Sequence, residues 1–163
     1  MSIAIIYATK TGVTKDIVTK IKTSRLDVEV IDLVHTKIVD LSNYHTVIFG
    51  SGIRMGMVLS PISKFIKKNQ DSLIQKNIGF FVSGADSHAL ICDILVKTIP
   101  KELVENALFT IHCGGEFRYE RLGRLSKMII KMVSKQKEKT EDKEEVNINQ
   151  SAVTKLIDAV SNL

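Results

Sequence analysis

The chain has no tryptophan, only two cysteines and only two prolines, and its apolar runs are short. Cys92 and Cys113 lack the C-x-x-C spacing of zinc and thioredoxin-like sites, so we expect reduced, mostly buried thiols in a cytoplasmic protein. No apolar run reaches the roughly 18 residues of a membrane-spanning helix, and no secretory signal is predicted. The sequence groups no residues as a hydrolytic triad or a metal cluster, so it predicts neither hydrolysis nor a metal site.

The composition is typical of a folded globular protein. Apolar residues make up 44% and charged residues 25% of the 163-residue chain, close to the averages of globular domains. A chain of this length can bury one full core, so we expect residues 1–163 to form a single domain. The formal net charge is +5, and many of the basic residues fall in one late segment.

Apolar segments alternate along the chain with amphipathic helical patterns, which predicts βαβ units and a parallel sheet. The five predicted strands cover residues 2–7, 28–33, 47–50, 78–82 and 108–112. The predicted helices cover residues 13–23, a segment with Pro61 in its first turn, 89–98 and 150–163. This order favours a doubly wound α/β sheet of strand order 2-1-3-4-5, with a ligand site at the switch point between strands one and three.

The first predicted strand runs directly into a hydroxyl-rich turn. Its residues are Thr9, Lys10, Thr11, Gly12, Val13 and Thr14. N–H groups and the dipole at a helix N-terminus favour an anion, threonine hydroxyls add donors, and Gly12 permits a close approach or a positive φ. The turn matches neither the P-loop nor the G-x-G-x-x-G pattern. The turn therefore predicts a phosphate site that differs from these two motifs. The alternative is an ordinary helix N-terminus capped by threonine.

The T-x-T-G-x-T pattern of this turn resembles the FMN-phosphate loop of the flavodoxin family. The resemblance implies a flavodoxin-like five-stranded parallel sheet and FMN as the cofactor, with the flavin ring held by the loops after strands three and four. The implied ring-binding residues are Ser51, Gly52, Ile53, Arg54, Met55 and Gly56 in the first loop and Ser83, Gly84, Ala85 and Asp86 in the second. Because neither loop contains tryptophan or tyrosine, Met55 or Ile53 would have to stack on the ring.

Two side chains in these loops are candidate catalytic residues. A cation at Arg54 near N1 or the C2 carbonyl of the flavin would stabilise the anionic reduced ring and raise the two-electron potential. His88 is placed to assist proton transfer or to hold a substrate propionate. The alternatives are that Arg54 faces solvent or pairs with Asp86, and that His88 is a solvated loop residue. His112, within the fifth strand, is interpreted as a structural histidine.

Two further strings resemble a narrower family, the quinone-dependent protoporphyrinogen oxidase branch. They are G-S-G-I-R-M-G at residues 50–56, which is similar to the S-I-R-x-G stretch of that branch, and the G-x-x-R-Y stretch of residues 115–119. The resemblance implies an FMN enzyme of haem biosynthesis that oxidises protoporphyrinogen IX, a porphyrinogen substrate, and passes electrons to a membrane quinone. Two alternatives stay open: a one-electron carrier of the flavodoxin type, although such carriers are typically acidic, and a flavin-free binding or regulatory protein.

The segment of residues 116–146 is too long for an ordinary connection and is predicted to be a basic helical insertion after strand five. Residues 118–139 contain eight Lys or Arg against two Glu, in the pattern of an amphipathic helix. Such a helix can lie on an anionic membrane, where each basic residue contributes about 1 kcal/mol. We therefore hypothesise that the protein is cytoplasmic and that this helix contacts the inner face of the cell membrane. The alternative is that the helix packs on its own domain and exposes its basic face to solvent. Few aromatic residues accompany the basic ones, so no nucleic-acid partner is predicted.

Overall fold

The computed structural model describes residues 2–36, 38–84, 91–115 and 147–163. The strands are β1 (Ile3–Ala8), β2 (Val28–Asp32), β3 (Thr46–Arg54), β4 (Met57–Val58), β5 (Asn77–Ser83) and β6 (Phe109–His112). The helices are α1 (Val13–Ser24), α2 (Ser60–Lys68), α3 (Gln70–Ile74), α4 (Ile91–Val96), α5 (Lys101–Glu105) and α6 (Gln150–Ser161). Strands and helices alternate, as the sequence predicted.

The main strands form one parallel sheet in the order β2-β1-β3-β5-β6. This is the predicted order 2-1-3-4-5, because the short β4 lies off the main path and pairs only with β3, in the antiparallel sense. The doubly wound flavodoxin-like fold is therefore confirmed. In the register of the central pair, Ala8 at the end of β1 lies opposite Ser51 of β3.

Helices cover both faces of the sheet and create two cores. Every residue of β1 is buried, as expected for a strand enclosed on both faces. On one face α1 and α6 pack on the sheet through an apolar stripe of helical period, with Ile17 and Leu156 fully buried. On the other face α2 to α5 pack against Ile6 and Phe49. Burial of each large side chain of this kind contributes about 1.5–3 kcal/mol.

The third predicted strand is longer than expected, which corrects the sequence analysis. The predicted strand ended at Gly50, but β3 continues through it to Arg54. The sheet requires a glycine there because a Cβ on Gly50 would lie 2.3 Å from the ring of Phe81 on β5. The chain then reverses through Met55 and Gly56, whose φ angles are 54° and 70°, and returns as β4. Positive φ at both residues is typical of a two-residue hairpin turn.

The structure also tests the predictions for Pro61 and the two cysteines, but only part of those for the later helices. Pro61 does lie in the first turn of a helix, α2. Cys113 is buried but Cys92 is exposed, so the expectation of two mostly buried thiols is wrong for Cys92. The first part of the predicted helix 89–98 and the whole predicted insertion of residues 116–146 lie outside the described residues. Among the helices in the described ranges, none combines the length and apolarity needed to cross a bilayer.

Candidate functional site

The carboxyl ends of β1, β3, β5 and β6 meet at one edge of the sheet, because the strands are parallel neighbours. Most of the predicted site residues follow these ends directly. The phosphate turn follows β1, the hairpin forms the end of β3, and Ser83 and Gly84 lie at the end of β5. The fold thus brings together three segments that are far apart in sequence, at the place where doubly wound sheets bind ligands.

The turn after β1 has a defined hydrogen-bonded shape. Gly12 has a φ of 88° and directly precedes α1. Its N–H donates to Oγ1 of Thr9 at 3.0 Å, and its carbonyl accepts from the N–H of Asp16 at 3.0 Å. Thr9 and Thr11 are half-buried and Lys10 is exposed. The turn therefore places two partly accessible threonines and an exposed lysine at the positive end of the dipole of α1.

Thr14, the last residue of the predicted phosphate site, is completely buried. Its Oγ1 lies 2.9 Å from Oγ of Ser83, which is also buried. This bond joins the beginning of α1 to the end of β5, across 69 residues of sequence. Both side chains were predicted to contact the cofactor, and that contact stays a prediction.

The hairpin after β3 divides the predicted ring-binding residues into an inner and an outer group. Oγ of buried Ser51 accepts from the N–H of Leu59 at 3.0 Å and donates to the carbonyl of Gly52 at 2.8 Å, which holds the two strands of the hairpin together. Ile53 is half-buried, whereas Arg54 and Met55 are exposed, Met55 by 87%. The apolar and cationic groups of the hairpin are therefore presented at its tip.

Three glycines, Gly84, Gly114 and Gly115, allow close backbone contacts on the side of the site formed by β5 and β6. The N–H of Gly84 donates to the carbonyl of Gly114 at 2.9 Å, which ties the end of β5 to the chain after β6. A Cβ on Gly84 would lie 2.9 Å from Cβ of Ile53, and one on Gly115 would lie 2.5 Å from the carbonyl carbon of Gly84. Only glycines allow this approach of three segments. Gly114 and Gly115 were not predicted as site residues, although their adjacency after strand five was a signal for it.

Two buried groups near this edge stay protonated at neutral pH. Burial, together with the nearby carboxylate of Asp32, raises the pKa of Tyr7 to about 12. Burial alone raises the pKa of the Cys113 thiol to about 12. Since the thiolate is the reactive form of cysteine, Cys113 is suited to packing and not to nucleophilic chemistry. The part of the chain that the structure describes contains no group of three or more His, Cys, Asp or Glu able to hold a metal ion.

The remaining site predictions are not decided by this geometry. Ala85, Asp86 and His88 lie outside the described residues, as do residues 118–139. The structure places the other predicted residues at the edge of the sheet, but their contacts with a cofactor stay predictions. His112 is buried on β6, in keeping with a structural position.

The family to which the chain belongs follows from its sequence. The profile of the family described as a flavodoxin domain matches residues 4–144. The chain therefore belongs to the flavodoxin domain family. No protein of curated function matches the sequence at a significant level.

Solved structures show the same fold. A flavoprotein from Lactobacillus acidophilus, in complex with FMN, is 15% identical, with a TM-score of 0.55 over 68% of this chain and 92% of that one. A WrbA-like flavodoxin from Agrobacterium tumefaciens is 14% identical, with a TM-score of 0.55 over 83% and 98%. Oxidised flavodoxin 1 from Bacillus cereus is 21% identical, with a TM-score of 0.50 over 69% and 84%. At these identities the likeness concerns the fold alone.

Proposed function

We propose that this chain is an FMN-dependent redox protein. The observation that carries the proposal is the meeting of the phosphate turn, the β3 hairpin and the end of β5 at one edge of the sheet, in a chain of the flavodoxin domain family. FMN has a phosphate at one end and a planar, redox-active ring at the other. A site for it needs anion-binding groups beside a surface for the ring, and these two features adjoin here.

The chemistry of the donors in the turn fits a phosphate. Thr9 already accepts a hydrogen bond from Gly12, so its own hydroxyl hydrogen can point outward to an anion. Thr11 and Lys10 are also accessible, and the first N–H groups of α1 have no acceptor within the helix. In this proposal the hydroxyls and the helix N-terminus hold the phosphate, and Lys10 adds a positive charge.

The ring would lie against the β3 hairpin and the backbone of Gly84. When bound, FMN supplies the electron-accepting chemistry. Ile53 and Met55 offer apolar surface to the ring, and backbone groups of Gly52, Gly56 and Gly84 can meet its polar edge. Arg54 would place a cation near that edge and so favour the negatively charged reduced ring.

As the specific activity we propose quinone-dependent oxidation of protoporphyrinogen IX. Its support is the similarity of residues 50–56 and 115–119 to that enzyme branch, together with the basic segment 118–139, which would bring the site to a membrane that holds the quinone. In this proposal His88 assists proton transfer or holds a substrate propionate. The alternative is a flavodoxin-type one-electron carrier, which would need no porphyrinogen site.

The flavin proposal is tested by the absorbance spectrum of the purified protein, before and after addition of FMN. We expect flavin bands that stay with the protein on gel filtration. Thr9→Val, which removes an accessible hydroxyl, should weaken FMN binding more than riboflavin binding, because riboflavin lacks the phosphate. A folded protein that stays colourless with excess FMN would reject the proposal and favour a flavin-free binding protein.

The substrate proposal is tested on the FMN-loaded protein by porphyrin fluorescence, under anaerobic conditions with a quinone acceptor. We expect porphyrin to appear only when protein, porphyrinogen and quinone are all present. Arg54→Ala and His88→Ala should slow the reaction if these residues act as proposed. A loaded protein that exchanges electrons with redox proteins but produces no porphyrin would favour the one-electron carrier.

A further inference from the structure

Gly84 lies between two other segments of the proposed site. It directly follows β5, which pairs with β3 on one side and with β6 on the other. On the side of β3, a Cβ on Gly84 would lie 2.9 Å from Cβ of Ile53. On the side of β6, a Cβ on Gly115 would lie 2.5 Å from the carbonyl carbon of Gly84 and 2.8 Å from its Cα. All three distances are below 3.0 Å, closer than real Cβ atoms come to other atoms, so Gly84 fills the space between its neighbours.

Rotation of a side chain cannot relieve the contact on the side of β6. The atoms that a Cβ on Gly115 would meet belong to the backbone of Gly84, and Gly115 itself is buried. The N–H of Gly84 also donates to the carbonyl of Gly114 at 2.9 Å, which keeps the two backbones together. Because closely packed interiors transmit such strain, a side chain at position 115 would push Gly84 towards β3, where Ile53 lies.

We propose that Gly115 is a positioning residue for the ring side of the FMN site, since its missing side chain lets Gly84 and Ile53 take their places beside the ring. The inference rests on the proposed FMN function. Gly115 does not touch the flavin in this proposal but acts through the backbone of Gly84 and the half-buried side chain of Ile53. Because FMN and riboflavin share the ring, a change at position 115 should affect both flavins equally.

Dissociation constants of the apoprotein for FMN and riboflavin, measured by fluorescence titration, test this role. Gly115→Ala should weaken both flavins by a similar factor of about 5- to 10-fold, the lower part of the range for overpacking. It should also shift the absorbance bands of the bound ring. Gly79→Ala is the matched control, because its Cβ would lie 2.6 Å from the ring of Phe109, also between β5 and β6 but at the other end of these strands. It should lower stability in urea without changing either affinity.

Ile53→Val shortens the side chain on the far side of Gly84 and so tests whether the shift passes through this residue. In the wild-type protein it should weaken both flavins, because it removes apolar surface from the ring. Combined with Gly115→Ala it should restore part of the affinity, because it gives Gly84 room, so the two changes should not be additive. Additive losses would show that Gly115 does not act through Ile53, and the proposal would be wrong. Equal weakening by Gly115→Ala and Gly79→Ala would also overturn it, because the effect would then be general destabilisation.

Amide hydrogen exchange of the wild-type protein decides the case in which Gly115→Ala does not fold. Binding of riboflavin should slow exchange of the Gly84 N–H, which donates to Gly114, and of the Asn149 N–H, which donates to the chain after β6. Protection that stops at β5 would contradict the coupling. A wild-type protein that binds neither flavin would reject the proposed function, whereas urea unfolding of the single and double variants would still decide whether positions 53 and 115 are coupled.

Discussion

Met55 holds a left-handed backbone conformation, with a φ of 54°, at the tip of the β3–β4 hairpin. Side chains with a Cβ are disfavoured there, and asparagine tolerates the conformation better than most. An apolar side chain that is 87% exposed also contributes little burial to the fold. Neither backbone preference nor packing explains a methionine at this position, which agrees with a role in contacting a ligand.

Met55→Asn should therefore stabilise the protein while weakening the proposed ring site. We expect the free energy of unfolding in urea to rise by about 1 kcal/mol, the usual scale of left-handed strain. The affinity for FMN should fall, because the thioether surface is lost. Met57→Asn, two residues along in β4, is the control and should give no stabilisation. An unchanged FMN affinity would show that Met55 does not touch the ring.

Arg54 is exposed on the same hairpin, so its effect on a bound ring is moderated by solvent. Arg54→Ala should lower the two-electron potential of bound FMN by up to about 20 mV, since exposed charges interact by up to about 1 kcal/mol and about 30 mV corresponds to 1.4 kcal/mol. Potentiometric titration of the loaded protein measures this change. Arg54→Lys keeps the charge and should stay near the wild-type potential. Equal potentials for all three proteins would show that Arg54 is not near the ring.

At the scale of the elements, the close contact of β3 with β5 explains the glycine at position 50. The Phe81 ring occupies the space where a Cβ would lie, and it is itself fully buried. Gly50→Ala should destabilise the protein by about 1–3 kcal/mol through overpacking, measured by urea unfolding. Gly52→Ala is the matched control, because its Cβ would meet only ordinary contacts at 3.6 Å or more. Equal stability of the two variants would contradict the steric explanation.

This contact also shows what the sequence was able to predict. The apolar runs and helical stripes predicted the five main strands, the helices α1, α2 and α6 and the sheet order, because burial on one or two faces produces those patterns. The short elements β4, α3 and α5 were not predicted. The end of the third strand was misplaced at Gly50, since a glycine required for packing and a glycine that ends a strand in a turn look the same in a sequence. The bond between Thr14 and Ser83 was equally hidden, because only the fold brings two such distant hydroxyls together.

At the scale of the whole molecule, the described ends of the long segment after β6 lie side by side. Gly114 forms an antiparallel bridge with Ile148, and the N–H of Asn149 donates to the carbonyl of Cys113 at 2.9 Å. The chain therefore leaves the sheet edge and returns to the same place. Within the described ranges, the strands form the sheet and core side chains already cover both of its faces.

Replacing residues 116–146 by a Gly-Ser linker of about two to five residues, the length of a hairpin loop, should thus leave a folded protein. We expect similar circular dichroism and a cooperative urea transition. The shortened protein should no longer float with anionic liposomes, whereas the full chain should do so at low salt, because each of the eight basic residues in 118–139 contributes about 1 kcal/mol at an anionic surface. Neutral liposomes are the control and should bind neither protein. Equal flotation of both proteins with anionic liposomes would show that the basic segment is not a membrane contact. A shortened protein that does not fold would show that the segment is needed for the core of the domain.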